Sequence, residues 1–325
     1  MPRHLLIAAF ICFLSATLRA EEPASIKGTV PYVPPKGDDK IDARFRLEKH
    51  EFDFEQKPIG SATEQLSLWT VTFPSPVKTP HENNNTVHCE YFLPKSDKPV
   101  PGVIVLHILG GDFNLSRLFC AGLAEKGTAA LFLKMPYYGP RQQPGVKRKM
   151  ISPDPQETVE GMTQAILDIR RATAFLASQK EIDSERLGIF GISLGGITGS
   201  LALTAEPRLN NACFLLAGGD LGKVAWQSKE LAKVREDWIS KGGTEQGFRD
   251  VLGVIDPCRY GDNVRGKRIL LLNAKSDEVI PKVCTESLWE SFGKPEIIWY
   301  DGGHYSVARH ILDALKRTST FFAER

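Results

Sequence analysis

From residue 100 onward the chain alternates short apolar runs with longer segments whose apolar residues recur every three or four positions. The runs are Gly102 to Ile108, Thr128 to Lys134, Leu187 to Ile192, Asn211 to Ala217, Arg268 to Asn273 and Glu296 to Tyr300. Helical stretches lie between and after them, at 114–126, 157–179, 194–205, 281–292 and 306–322. Strands that are nearly all apolar and separated by helices predict βαβ units, hence a mostly parallel, doubly wound α/β sheet covered on both faces. Two earlier segments, Leu66 to Phe73 and Val87 to Leu93, are strand-like and separated by Pro74-Ser75-Pro76 and Glu82-Asn83-Asn84-Asn85. They predict an N-terminal antiparallel pair leading into the main sheet. Gly218 to Asp262 carries helix-like stretches around Trp226 and Trp238 with no strand, which predicts a helical lid insertion over the carboxyl ends of the strands. Residues 21–64, with Pro23, Pro31, Pro34-Pro35 and Gly37-Asp38-Asp39, read as a linker or partly helical arm. The folded domain is therefore expected over residues 65–325, with 218–262 as its insertion.

The first 20 residues have a different pattern. Met1-Pro2-Arg3-His4 precedes the apolar run Leu5 to Leu14, then small residues ending at Ala20, with Glu21-Glu22-Pro23 beyond. That is signal-peptide order, and it predicts export to a secreted or periplasmic location. An apolar stretch of about 14 residues falls short of the roughly 20 that span a bilayer, so no stable transmembrane anchor is expected. Hydrophobic residues make up 42% and charged residues 25%, an ordinary globular balance. The net charge of +2 falls to zero once Arg3 and Arg19 are removed, which leaves no field for phosphates and argues against a nucleic-acid partner. Beyond the leader, Cys89, Cys120, Cys213, Cys258 and Cys284 are odd in number and contain no C-x-x-C pair, so zinc is not expected. They read as small buried hydrophobes, with Cys258 and Cys284 the pair best placed to bridge. N-x-S/T sequons occur at Asn84 and Asn114.

The candidate chemistry centres on Gly191-Ile192-Ser193-Leu194-Gly195, a G-x-S-x-G between a predicted strand and a predicted helix. This spacing puts a nucleophile on a strained strand-to-helix turn, where flanking glycines allow close backbone approach. Unpaired N–H groups of the helix N-terminus lie beneath it, ready for developing negative charge. A serine hydroxyl needs a general base, and the base needs an acid to hold its tautomer. Both follow downstream in the order Ser, Asp, His: Asp277 in the loop after the strand from Arg268, and His304 after Gly302-Gly303 at the start of the last helical segment. Glu278 is the alternative acid, and Asp301 reads as a turn residue fixed on the loop of His304. The loop His107-Ile108-Leu109-Gly110-Gly111 follows the first parallel strand, where an oxyanion loop would sit. The backbone N–H groups of Leu194 and Leu109 are the expected oxyanion donors, with Ile108 as the alternative to Leu109. His107 reads as a support for that loop, or as a second base.

With these residues in place, the chain from about Leu66 onward resembles the α/β-hydrolase superfamily, Ser193, Asp277 and His304 matching its triad in order and context. Lys134-Met135-Pro136-Tyr137-Tyr138-Gly139-Pro140-Arg141 is similar to a stretch of poorly characterised α/β-hydrolase-domain proteins and, more loosely, of dienelactone-hydrolase-like and acetyl-esterase-like members. Typical dienelactone hydrolases carry cysteine where this chain has Ser193. The resemblance implies a serine hydrolase that cleaves a small-molecule carboxylic ester through an acyl-enzyme, with no cofactor and no metal. It also makes Tyr137, Tyr138 and Arg141 candidates for binding the substrate. A serine peptidase, an acyl-lipid hydrolase and a non-catalytic binding protein on the same fold are the competing readings. Among these residues no propeller-sized domain precedes the hydrolase segment, which argues against a prolyl-oligopeptidase architecture.

Overall fold

In chain order the strands are β1 (Ile26–Tyr32), β2 (His50–Pro58), β3 (Leu66–Pro74), β4 (Thr86–Pro94), β5 (Val100–Leu106), β6 (Ala129–Leu133), β7 (Ile182–Ile192), β8 (Asn211–Leu215), β9 (Arg268–Ala274) and β10 (Glu296–Tyr300). They form one sheet in the order β1-β2-β3-β4-β6-β5-β7-β8-β9-β10. This is a computed structural model, and it describes residues 24–59, 65–111, 113–228 and 231–324. The leader expected over residues 1–20 lies outside the described residues.

β1 to β4 pair antiparallel, and β4 meets β6 antiparallel, while the ladders from β6 through β10 are all parallel. The helices are α1 (Phe113–Glu125), α2 (Pro155–Ser178), α3 (Leu194–Ala205), α4 (Leu221–Gln227), α5 (Ala232–Ser240), α6 (Glu245–Leu252), α7 (Lys282–Ser291) and α8 (Ile311–Ala323). Because side chains alternate across a strand, each strand of the parallel part feeds two cores. Ile104 and Leu131 join α2 and α3 residues such as Ile166 and Leu201 on one face. Val105 and Phe132 join Phe119 of α1 and Phe321 of α8 on the other. α2 begins where Asp154 accepts a hydrogen bond from the Gln156 N–H and Pro155 sets the first helical φ, which satisfies a donor that the helix itself cannot.

The strand order places the functional crevice. The chain leaves β5 for β6 on one side and then enters β7 on the other, so the loops after β5 and β7 diverge and leave a crevice at the carboxyl ends of the two strands. The 107–111 loop and the turn at Ser193 flank it.

The segment read as a linker or arm contributes two strands instead. In β2 the outward charges Glu51, Asp53 and Glu55 alternate with Phe52, Phe54 and Gln56, of which Phe52 and Gln56 are buried. Pro31 does not disqualify β1, because β1 is the sheet edge and an edge strand tolerates a missing N–H. Arg170 of α2 ties this arm to the body. Its fully buried guanidinium donates to the Phe45 carbonyl at 2.7 Å, pairs with Asp38, and lies 3.6 Å from Glu206, which Arg208 also holds at 2.6 Å.

The insertion between β8 and β9 is helical as expected, consisting of α4, α5, α6 and short 3-10 turns. Trp226 and Trp238 meet Phe248 at a tilt and edge-on, at 6.1 and 5.6 Å, and through it pack the insertion onto the larger core. Cys258 and Cys284 are free thiols, their pKa values pushed up to about 12 by burial. Asn84 is fully buried and hydrogen-bonded to Gln164, which leaves no room for a glycan in the folded chain, whereas Asn114 is exposed on α1.

Removing one member of a buried, hydrogen-bonded ion cluster leaves the others uncompensated, so Arg170→Ala is expected to lower stability by about 3–5 kcal/mol. Urea unfolding with residue-resolved hydrogen exchange checks it, the amides of β1 and β2 losing protection first. Unchanged protection there would mean that strand pairing alone holds the arm.

Candidate active site

Ser193 sits between β7 and α3 at φ 53°, ψ −115°, a conformation that costs an ordinary residue about 1–3 kcal/mol. Neighbouring backbone leaves no alternative. A Cβ on Gly191 would fall 2.1 Å from the Gly195 carbonyl oxygen, and one on Gly195 would fall 2.7 Å from both the Leu106 and His107 carbonyl oxygens. The glycines thus let β5, the end of β7 and the first turn of α3 close on one another backbone to backbone.

His304 follows β10 on a turn opened by Gly302 at φ 131°. Its Nε2 lies 3.0 Å from Ser193 Oγ, and its Nδ1 lies 2.8 Å from Asp277 Oδ2. Asp277 Oδ1 accepts from the N–H groups of Val279 and Ile280 at 2.9 and 2.7 Å, which fixes the carboxylate in the loop after β9. A carboxylate can only accept here, so Nδ1 carries the proton and Nε2 is free to accept from the serine hydroxyl. All three side chains are at least nine-tenths buried.

Glu278 has a different place from the alternative first considered for it. Its Oε2 accepts the backbone N–H of His304 at 2.9 Å, and a Cβ on Gly303 would come within 2.2 Å of that oxygen. Glu278 therefore anchors the histidine's main chain, a role that no sequence spacing announces. Asp301 is exposed and pairs with Lys275 at 2.7 Å, away from the imidazole.

Leu194 is the first residue of α3, so its N–H has no partner inside the helix, and it lines the same cavity as Ser193 and Leu109. His107 supports the loop that carries Leu109. Its Nε2 accepts the Met135 N–H at 3.1 Å, so Nδ1 carries the proton and donates to the Ile108 carbonyl at 2.8 Å. Burial drives its pKa down to about 4, which keeps the ring neutral. Both ring nitrogens are engaged in structure, and a second base at this position is excluded by its hydrogen bonds.

The three residues proposed to touch substrate do not reach the cavity. Arg141 is fully buried, paired with Asp168 at 2.8 Å and donating to the carbonyls of Lys134 and Asn84 at 3.1 and 2.8 Å. A guanidinium fully buried outside the cavity lining and tied to these partners is not placed to meet a substrate carboxylate. Tyr137, at φ 65°, gives its N–H to Asn84 Oδ1 and its ring to the Arg148 guanidinium. Tyr138 packs edge-on against His107, 4.6 Å between centroids. This stretch braces the 107–111 loop from behind. Asn84, Asp168 and Ser75 complete the brace, with Ser75 Oγ donating to Asp168 at 2.6 Å. These are isolated polar residues on different elements, and only folding assembles them.

Ser193 opens onto a cavity of about 820 Å³, counting the open space at its mouth. Its floor is α2 and α3, and its roof is α4, α6 and the turns beside them. Among the described residues no three His, Cys, Asp or Glu side chains converge to hold a metal, and no helix is long and apolar enough to cross a membrane.

Two family models match the chain: alpha/beta hydrolase domain containing 18 over residues 65–223, and the prolyl oligopeptidase family over residues 162–314. An uncharacterised protein of Mycobacterium tuberculosis is 29% identical over 210 residues, covering 62% of this chain and 49% of that protein. A hydrolase of a Fusarium species is 30% identical over 138 residues, covering 41% of this chain and 31% of its own. The chain thus spans about half the length of the first relative and less of the second. Among solved structures, an acetyl xylan esterase from Paenibacillus sp. R4 superposes with TM-score 0.66 at 18% identity, over 82% of this chain and 88% of that one. Acetyl xylan esterase 1 from a Thermoanaerobacterium species does so with TM-score 0.63 at 17% identity, over 81% and 87%. At such identities these two establish the fold. The sheet order, the helical insertion and the two partial family matches give this chain the α/β-hydrolase fold.

His107 stays neutral in the folded chain but takes up a proton near pH 6.5 when unfolded, so its contribution to stability is complete above pH 6.5 and lost as pH falls toward 4. The loss in wild type between pH 7 and 4.5 is expected to exceed that in His107→Gln, compared by urea titration at each pH; equal losses would refute it. Arg141→Ala is expected to cost about 3–5 kcal/mol of stability while the folded fraction keeps an unchanged KM. A selective rise in KM without loss of stability would return Arg141 to the substrate.

Proposed function

We propose that this chain is an exported serine hydrolase that cleaves carboxylic esters through an acyl-enzyme. The observation that carries the reading is the continuous hydrogen-bond line from Ser193 Oγ through the His304 imidazole to Asp277, set on a strained turn at the mouth of a cavity. In this mechanism His304 Nε2 takes the hydroxyl proton as Ser193 Oγ attacks the ester carbonyl carbon, and Asp277 stabilises the imidazolium. The tetrahedral oxyanion accepts hydrogen bonds from the N–H groups of Leu194 and Leu109, each such donor being worth about 2.7–4 kcal/mol. The intermediate collapses, His304 returns the proton to the departing alcohol, and the serine is left acylated. Water, deprotonated by the same histidine, attacks that acyl group and releases the acid. The names of the acetyl xylan esterase neighbours favour an ester as the substrate.

Export rests on the order of charge, apolar run and small residues in the first 20 positions. A serine peptidase is the second reading, supported by the prolyl oligopeptidase match over residues 162–314, since the same three groups can cleave an amide.

An active-site-directed fluorophosphonate is expected to label Ser193, located by peptide mapping. Ser193→Ala abolishes labelling and ester turnover while the protein remains folded, and Asp277→Asn lowers kcat by about 10⁴ through the wrong imidazole tautomer. Full ester turnover by Ser193→Ala would sink the mechanism, and faster cleavage of peptide amides than of matched esters would select the peptidase.

A further inference from the structure

The cavity beside Ser193 is walled almost entirely by hydrocarbon. Met162 and Ile197 form part of its floor, and Val224, Ala225, Phe248 and Leu252 part of its roof. Besides Ser193, its only polar lining side chains among the described residues are Ser152, Thr158 and Ser228. Two of these are already engaged where α2 begins. Ser152 Oγ donates to Glu157, and Thr158 Oγ1 accepts the Ser152 N–H at 3.0 Å. Ser228 Oγ is buried without a hydrogen-bond partner. A sugar ring brings several hydroxyls that must each find a partner on leaving water, and one free serine cannot supply them. The wall therefore suits a hydrocarbon group.

The proton path decides which half of an ester enters. The departing alcohol takes its proton from His304, so the leaving group lies on the imidazole side of Ser193. Neither His304 nor Asp277 lines the cavity, whereas Leu109 and Leu194, the expected oxyanion donors, both do. With the carbonyl oxygen directed at those donors and the alcohol at the histidine, the remaining substituent of the carbonyl carbon points under α4 and α6.

We infer that this cavity is an acyl-chain site for unbranched apolar acids longer than acetate, the hydrocarbon lining being what such a chain would cover. The acetyl group in the names of the structural neighbours is too short to cover the apolar side chains of both floor and roof. The inference rests on the ester-hydrolase reading for its chemistry, but the binding it asserts is independent of turnover. Because the insertion supplies the roof, chain-length preference is a property of residues 221–255 and not of the triad.

Two measurements on the mature chain test this. In the first, kcat/KM is followed across p-nitrophenyl esters from acetate to palmitate. It is expected to rise about fourfold per added methylene, the fold-change equivalent of about 0.8 kcal/mol, to peak at a chain longer than acetate, and then to fall. Ala225→Phe, which places a ring in the roof, moves the peak to shorter chains. In the second, calorimetry with Ser193→Ala compares acetate, octanoate and decanoate, with affinity expected to rise with chain length and acetate undetected. Fastest turnover of acetate with no binding of decanoate would overturn the acyl site while leaving the ester-hydrolase reading intact. Length-graded binding in a protein that hydrolyses no ester would uphold the acyl site and remove the hydrolase reading.

Discussion

Three pieces of backbone meet with no side chain between them where β5 ends, β7 turns and α3 begins, and the rest of the site depends on that contact. Gly191 and Gly195 make it possible, since a Cβ there would come within 2.1 and 2.7 Å of carbonyl oxygens, closer than real Cβ atoms approach. Once closed, it forces Ser193 into its strained φ and ψ, sets the N–H of Leu194 beneath it, and draws the 107–111 loop alongside. The strain is sustained because both cores grip the flanking elements: Ile189 and Leu201 are buried on one face, Phe190 and Ile192 on the other.

Around that junction the buried charges act as braces. Arg141 and Arg170 are among the largest fully buried side chains; Arg141 meets two backbone carbonyls and one carboxylate, and Arg170 one carbonyl and two carboxylates. Arg141 holds the turn that supports the oxyanion loop, and Arg170 holds the N-terminal arm against α2. His107 does the same work as a neutral ring between Met135 and Ile108. A charged or titratable group drawn from a motif is readily taken for a ligand of substrate. Here complete burial, with hydrogen bonds to main-chain groups, assigns these three to architecture.

The insertion divides the labour. Ser193, Asp277 and His304 come from the loops after β7, β9 and β10, while the cavity beside Ser193 is roofed by α4 and α6. Asp256 fastens the two ends of that roof, accepting the N–H groups of Leu221 at 2.6 Å and Cys258 at 2.9 Å. The roof can thus change without disturbing the hydrogen-bond line from Ser193 to Asp277.

The sequence alone determined the parallel sheet from residue 100, the strand-turn-helix at Ser193, and the order Ser193, Asp277, His304. Each is local: apolar runs of strand length, a glycine-flanked serine, a polar residue just past a strand end. It also identified the helical insertion, because a stretch without a strand between two strands has few other forms. It missed β1, which Gly28 and Pro31 interrupt, and β2, whose short alternation of Phe52 and Phe54 with charge becomes a strand signal only once β3 is present to pair with. It assigned Arg141, Tyr137 and Tyr138 to the substrate, and it could not foresee that Asn84, Asp168 and Glu278, up to some 200 residues apart, would brace the loops instead. Those roles, and the hydrocarbon lining of the cavity, come from side chains of several elements meeting at one point. Periodicity and spacing report on neighbours along the chain, whereas burial and the pairing of polar groups are decided only when distant segments are packed together.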